Sequence, residues 1–353
     1  MKYDAKMPST GYDVADYAAI AKSGIPATLA KTDGLRFDSA EDASVFFARE
    51  LDYIKSQSYD VEYPEFTALK LFPVSSEVNP GAESVTYYSY DKTGLAKIIS
   101  NYATDLPRAD AKGKPTTATI KSVGDSYGYS VQEMRASRMA GKSLDVRKAE
   151  AARYQIDYLL NKIAWAGDAD TGLVGILSSG NDIPLYTIPS NGSYVDGSET
   201  KTSTKWEHKT AKQILDDING MQKYVAKITK NVERPDTLVL PSDVYVDIST
   251  RQIENTGYTV LKFILENAPY LKRIESASEL QADATDINPY GASGKNVALL
   301  FTNSPKKLTI EHPLPYFQHP IQPKGLELEV PCEARTAGAM IYYPLSALIA
   351  VGI

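Results

Sequence analysis

Apolar positions recur every three to four residues in one long stretch and every second residue in several short ones, and this alternation divides the chain. Ser130-Val-Gln-Glu133 is a capping box, in which a Ser hydroxyl accepts from the amide three residues on and Glu133 reaches back. A short helix follows and stops at Gly141. Ser143 restarts it, with Asp145 in the first turn against the positive end of the helix dipole. Val146, Ala149, Ile156, Leu160 and Ile163 then form one apolar stripe, with Arg153 its one polar interruption. The pattern predicts a helix of about 22 residues, roughly 33 Å long, ended by Gly167. Arg147, Lys148, Glu150, Arg153 and Asp157 form its opposite face. So narrow a stripe on so long a helix needs something laid along its whole length, as on a spine.

Before the spine, residues 1–38 carry Pro8, Gly11, Gly24, Pro26 and Gly34 with a weak helical pattern, and read as an extended arm. Ser39 caps a helix with Val45, Phe46, Leu51 and Ile54 on its apolar face. Ser84 to Tyr90 and Leu95 to Tyr102 are β-rich runs around Asp91-Lys-Thr-Gly94, which predicts a hairpin. Asp110 to Pro115 reads as a second turn and Thr116 to Val123 as an alternating strand. Both faces of these strands carry Ser, Thr, Lys and Tyr, so the ribbon has little core of its own. Such a ribbon is marginal in water unless it packs on this chain or on a neighbour.

After the spine, Trp165 to Leu177 packs small residues and a turn beneath the helix end, and Asn181 to Lys205 reads as a hairpin or surface loop. Ile214, Ile218, Met221, Val225 and Ile228 predict a helix over 209–230. Strands are expected at 235–241, 271–276, 297–301 and 308–311, with helices at 243–251 and 259–267. Their alternation makes an α/β unit. The tail is strand again at 326–330, 339–343 and 347–351.

Composition narrows the function. The chain has 353 residues and a net charge of -6, so no global basic field draws it to nucleic acid. One Cys, Cys332, excludes an intrachain disulfide framework and reads as a structural thiol. No window reaches the ~18 apolar residues of a membrane span, and the N-terminus lacks a signal-peptide core. These features point to a soluble protein made in a reducing compartment. The 24 Tyr against 8 Phe and 2 Trp suit half-buried and interfacial positions.

No catalytic motif emerges. His208, His312 and His319 form no zinc-helix spacing, and Gly-x-Ser-x-Gly is absent. Asp168 and Asp170 match the first two ligand positions of a calcium loop, but Gly172 replaces the third and no Glu closes it, which favours a plain turn. Gly291-Ala-Ser-Gly-Lys295 is too short for a phosphate loop. No catalytic, cofactor-binding or metal residue and no cofactor is expected. Arg135, Arg138, Lys142, Arg147 and Lys148 gather along the spine as a solvated face or as partners for acids on an adjacent copy.

The order of these parts resembles the tailed-phage or prophage major capsid protein family of the Hong Kong 97 type. The resemblance is carried by Tyr90-Asp-Lys-Thr-Gly-Leu-Ala-Lys-Ile-Ile99, Asp105-Leu-Pro-Arg-Ala-Asp110 and Tyr127-Gly-Tyr-Ser-Val-Gln-Glu133. Ala164-Trp-Ala-Gly-Asp168 with Gly172-Leu-Val-Gly-Ile176, and Arg335-Thr-Ala-Gly338 to Pro344, complete it over nearly the whole chain. It implies an α+β capsid fold: an N-terminal arm (1–38), a helix and connection (39–77) and an extended β-hairpin E-loop (78–124). A peripheral domain with the spine helix (126–205 and 326–353) and an α/β axial domain (206–325) would follow.

The function implied is a non-enzymatic shell subunit, assembled in the bacterial host cytoplasm into pentamers and hexamers and found in the virion. It would enclose double-stranded DNA without sequence-specific binding, with scaffolding, portal and decoration proteins as further partners and no membrane. The candidate inter-subunit contacts are Tyr87, Tyr88, Tyr90, Lys92, Lys97, Lys112, Lys114, Arg135, Arg138 and Arg147. An encapsulin-like compartment shell is the alternative within the fold, and a prophage-encoded hydrolase the alternative outside it.

Overall fold

The structure, a computed structural model, describes residues 64–93, 108–140, 147–197, 199–253 and 256–353. The arm expected over 1–38, the helix from Ser39, the strand at Leu95 to Tyr102, Lys97 and the helix start at Ser143 lie outside them.

In chain order, a single helical turn α1 (Ala68–Leu71) and β1 (Val74–Ser75) precede three ten-residue strands. These are β2 (Ser84–Thr93), β3 (Asp110–Thr119) and β4 (Lys121–Ser130). Helices α2 (Val131–Ala140) and α3 (Arg147–Ala166) lead into β5 (Gly167–Asp168), β6 (Leu173–Val174), β7 (Leu185–Thr187), β8 (Gly192–Asp196) and β9 (Glu199–Ser203). The α/β unit comprises α4 (Ala211–Ile228), β10 (Thr237–Pro241), α5 (Ser242–Thr250), α6 (Val260–Asn267), β11 (Arg273–Ala277) and β12 (Val297–Phe301), whereas β13 (Leu308–Glu311), expected from the sequence as its last strand, belongs to a second five-stranded sheet with β1. Then come β14 (Leu314–Gln318), β15 (Gln322–Lys324), β16 (Glu327–Thr336), β17 (Gly338–Ile341) and β18 (Ala347–Val351).

The α/β unit is built on a sheet of order β11-β10-β12-β18-β7. Strands β10, β12 and β18 read as continuous apolar runs because both sheet faces are covered. One face, with Leu238, Leu240, Leu300 and Leu348, packs on Ile214, Ile218, Met221 and Val225 of α4 and on α6. A capping box between Thr210 and Gln213 starts α4. The other face, with Val239, Leu299, Phe301 and Ile349, packs on Phe72 and Trp165. The Phe72 and Trp165 rings meet edge to face at 5.1 Å. The tail strand β18 thus lies inside the sheet of the preceding α/β unit.

The spine α3 spans two cores. Ile156, Leu160 and Ile163 pack on Val123, Val330, Cys332 and Ala334, the inner face of a sheet in which β16 pairs along its whole length with β4. Ala164 and Trp165 at its other end enter the core beneath the α/β sheet. Arg153 does not interrupt the buried stripe as the periodicity suggests. It points outward over the Tyr316 ring and within 3.6 Å of Asp157, while Ala152 takes the buried position. The helix ends where Gly167 adopts φ +74, and Gly175 then crosses so close to the Gly167 backbone that no Cβ would fit.

The hairpin differs from the sequence expectation. β2 runs straight through Asp91-Lys-Thr93 and β3 through Asp110 to Pro115, so neither segment is a turn. The two strands pair from Ser84 opposite Thr119 to Thr93 opposite Asp110. Turn-type residues are tolerated because, among the described residues, each ribbon strand pairs on one side only. Pro115 can turn its missing donor outward, and Gly113 leaves room for the Tyr90 ring, which lies 3.0 Å from where a Cβ would stand.

Candidate assembly surface

The register divides the ribbon residues between two faces, since directly paired residues point to one side. Tyr88, Tyr90 and Lys92 share a face with Ala111, Gly113 and Pro115. Tyr87 and Ser89 share the other with Lys112, Lys114 and Thr116. The outer face is exposed: Tyr88 is 62% and Tyr90 71% accessible, their rings 6.5 Å apart and nearly parallel. Thr86 and Thr117 join across the strands through a 2.8 Å hydroxyl contact.

Tyr87 alone among the ribbon tyrosines turns inward. Its ring meets Tyr342 edge to face at 4.9 Å, and its hydroxyl donates to the Ile341 carbonyl at 3.3 Å. The expectation that Tyr87 serves a neighbouring subunit meets this structural fact: its half-buried ring fastens the ribbon base to its own chain. Between the ribbon's inner face and the body lies a cleft of about 440 Å³, bordered by Tyr87, Ser89, Lys114, Asn181 and Tyr342.

Arg135, Arg138 and Arg147 lie elsewhere, around the junction of α2 and α3, and are exposed. The Ser130–Glu133 capping box forms there as the sequence predicts. Glu133 N donates to Ser130 Oγ at 3.1 Å, and Ser130 N to Glu133 Oε2 at 3.0 Å. Lys148 Nζ reaches back from α3 to Glu133 Oε1 at 2.9 Å and to the Gly128 carbonyl at 3.0 Å. The Lys148 ammonium, helped by the Ser130 amide, holds the Glu133 carboxyl below the usual carboxylate range. The helical pattern reads Lys148 as part of a solvated face or as a partner for acids on an adjacent copy. Its bridging role depends on β4 returning beside α3, which no local pattern shows.

The residues tested for chemistry sit apart in structural contacts. His208 stacks on Tyr194 with ring centroids 4.5 Å apart. His312 is buried, and His319 lies 3.0 Å from Glu333. Cys332 is buried and accepts from the Tyr316 hydroxyl at 3.1 Å. Asp168 accepts from Thr171 Oγ1 at 2.5 Å inside the β5–β6 turn. Among the described residues no group of three or more His, Cys, Asp or Glu could hold a metal ion, and no helix is long and apolar enough to cross a membrane.

The comparisons with known proteins agree with this architecture. A family profile described as major capsid protein matches residues 94–353. Among solved structures, the capsid of the Myoviridae phage XM1 is similar with a TM-score of 0.70 at 15% identity, covering 88% of this chain and 99% of that one. The capsid of a native GTA particle is similar with a TM-score of 0.57 at 11% identity, covering 90% and 99%. The cyanophage Pam1 capsid is similar with a TM-score of 0.55 at 9% identity, covering 87% and 97%. No curated protein sequence matches.

Proposed function

The chain belongs to the major capsid protein family, and we propose that it is the subunit of an icosahedral phage head shell enclosing packaged double-stranded DNA. The observation that carries this reading is the ribbon β2–β3. It projects two ten-residue strands whose described side chains are exposed or half-exposed, with Tyr88 and Tyr90 on its solvent-facing side. A solvated ribbon of that length gains stability by lying on another copy.

On this reading 78–124 is the E-loop, 126–205 and 326–353 the peripheral domain, and 206–325 the axial domain. Strands β7 and β18, from the peripheral ranges, complete the axial sheet, so the domains are joined by backbone hydrogen bonds. Copies of the chain are the principal partner, as pentamers and hexamers. An acidic subunit with net charge -6 suits a wall that does not grip the genome, because phosphate binding needs clustered Lys and Arg. Scaffolding, portal and decoration proteins are further partners, with assembly in the host cytoplasm. The subunit itself does no catalysis.

The test is negative-stain electron microscopy with sedimentation, applied to the full chain and to a variant in which an Asn-Gly turn replaces residues 91–112, joining Tyr90 to its cross-strand partner Gly113. Wild-type shells or capsomer rings, and a folded variant that no longer closes shells, are expected. A wild-type monomer unchanged by concentration, or shells formed equally well by the shortened ribbon, would overturn the reading.

A further inference from the structure

The end of the spine helix, the segment entering β7 and the loop before β12 enclose a half-open cavity of about 420 Å³ that no ribbon residue borders. Its floor is apolar. Leu177, Ile183, Ile287 and Ile349 form it, each at most 8% accessible. The exposed Ser179, Leu185 and Thr285 stand at its mouth. Protein interiors close around voids much larger than a water molecule, so a space of this size needs bracing.

Two buried asparagines supply that bracing. Asn181 Oδ1 accepts the Ile183 amide at 2.9 Å, and its Nδ2 donates to the Ile176 carbonyl, which fixes the wall at 177–185. Asn288 is fully buried; its Oδ1 accepts the Tyr290 amide at 2.9 Å, and its Nδ2 donates to the Gln281 and Lys295 carbonyls at 3.0 and 3.1 Å. These bonds fix the wall at 285–290. Asp286 Oδ2 accepts the Tyr158 hydroxyl at 2.8 Å and so ties that wall to the spine. Both walls are held from behind by hydrogen bonds, and the cavity is preformed in the way that small-molecule sites are.

The lining also selects the ligand's charge. Among the described residues no Lys, Arg or His borders the cavity, so an anion would meet no counter-charge and would face Asp286. Asp286 is already met by the Tyr158 hydroxyl and by Lys162 Nζ at 3.7 Å, so an ammonium would gain little there. The hydroxyls of Ser179, Thr285 and Tyr290 line the cavity without a hydrogen-bond partner among the described residues. We propose that the cavity binds a small uncharged molecule with an aliphatic body and one hydroxyl. Its aliphatic part covers the four floor residues, and its hydroxyl pairs with Tyr290 or Thr285. Every wall comes from one chain, so the inference is independent of the shell reading.

The probe is n-hexanol, with hexanoate and hexylammonium as charged controls of the same length, titrated into the purified full chain. Ligand-observed NMR reads affinity and hydrogen exchange reads location. We expect hexanol to bind with a dissociation constant of about 1 mM or below, and both charged controls to bind at least about tenfold more weakly. Exchange should slow in 177–185 and 285–290. Thr285→Trp changes an exposed position, so circular dichroism should match wild type, and its indole over the mouth should weaken hexanol at least about tenfold. Tyr290→Phe should weaken it about threefold to tenfold by removing one hydroxyl partner. Binding that survives Thr285→Trp, or protection only elsewhere in the chain, overturns the site. Charged controls that bind as well as hexanol overturn the ligand class. Binding by dispersed subunits that is lost in assembled particles overturns the proposal in favour of another copy as the occupant. No saturable binding up to the solubility limit overturns it outright and leaves the shell reading untouched.

Discussion

Asn161 of the spine helix donates from Nδ2 to Glu279 Oε1 at 2.8 Å, across 118 residues of sequence, in a buried site. The Asn161 Oδ1 accepts the Ala68 amide at 3.0 Å, and Glu279 also takes the Thr67 amide at 3.2 Å and hydroxyl at 2.8 Å. Two polar side chains thus lock three parts together: the spine, the entering segment at 67–68 and the α/β unit. Glu279→Leu should orphan the Asn161 and Thr67 donors at about 1–3 kcal/mol each, whereas Glu279→Gln keeps one acceptor and should cost less. Urea denaturation of the subunit ranks the two, and equal loss would show that the carboxylate's second oxygen matters as much as its first.

A second lock is ionic. Lys209 Nζ lies 2.6 Å from Asp217 Oδ2, with both side chains at most 1% accessible, and also donates to the Pro189 carbonyl at 2.7 Å. Trp206 Nε1 donates to the same Asp217 oxygen at 3.1 Å. Removing one partner of a buried pair leaves an uncompensated charge, so Lys209→Met should destabilise by about 3–5 kcal/mol. Adding Asp217→Asn removes that charge while keeping an acceptor for Trp206, and the double variant should be more stable than Lys209→Met alone. A double-mutant cycle measures this. Strictly additive losses would mean the pair acts as two independent groups.

What sequence could show of these locks follows from range. Val297–Phe301, Leu308–Glu311 and Ala347–Val351 are legible to the residue because strands buried on both faces carry their signal in their own apolar run. The Ser130–Glu133 box is legible because its partners are three residues apart. The ribbon register was not, since Gly113 and Pro115 carry turn chemistry. Pairing over ten positions overrides it, with Tyr90 laid over Gly113. Asn161 with Glu279, and Lys148 with Gly128, are contacts made by the fold, and each residue alone reads as an ordinary polar position on a helix or turn. The divergent roles of Tyr87 and Tyr88, adjacent in sequence, become visible only once the faces of the ribbon are known.

His312 supplies a pH dependence. It is 4% accessible, and burial holds its imidazole below the ordinary histidine range, only partly opposed by the Arg335 backbone. The folded state therefore keeps the ring neutral while the unfolded chain protonates it near about pH 6.5. Stability is full above that value and falls as pH drops through the depressed folded value, because the unfolded state binds the extra proton. The subunit's melting temperature should decline from about pH 7.5 to pH 5.5, and His312→Leu should flatten that decline. A slope unchanged by the substitution would assign the acid sensitivity to another group.

Adjacent tyrosines on the ribbon should separate subunit stability from assembly. Tyr87 packs on Tyr342 and bonds the Ile341 carbonyl, so Tyr87→Ala removes an edge-to-face pair worth about 0.5–1.5 kcal/mol beyond its buried area. It should lower the melting temperature of the free subunit. Tyr88→Ser with Tyr90→Ser deletes the exposed stacked pair and should leave free-subunit stability within about 0.5 kcal/mol of wild type. On the shell reading, it is this second variant that should raise the protein concentration needed for assembly, because the exposed faces of these rings would be covered by another copy. Thermal melts paired with sedimentation at stepped concentrations read both quantities on one preparation. The assignment of the ribbon's two faces fails if the outer pair proves to stabilise the free subunit, or if assembly responds to Tyr87 alone.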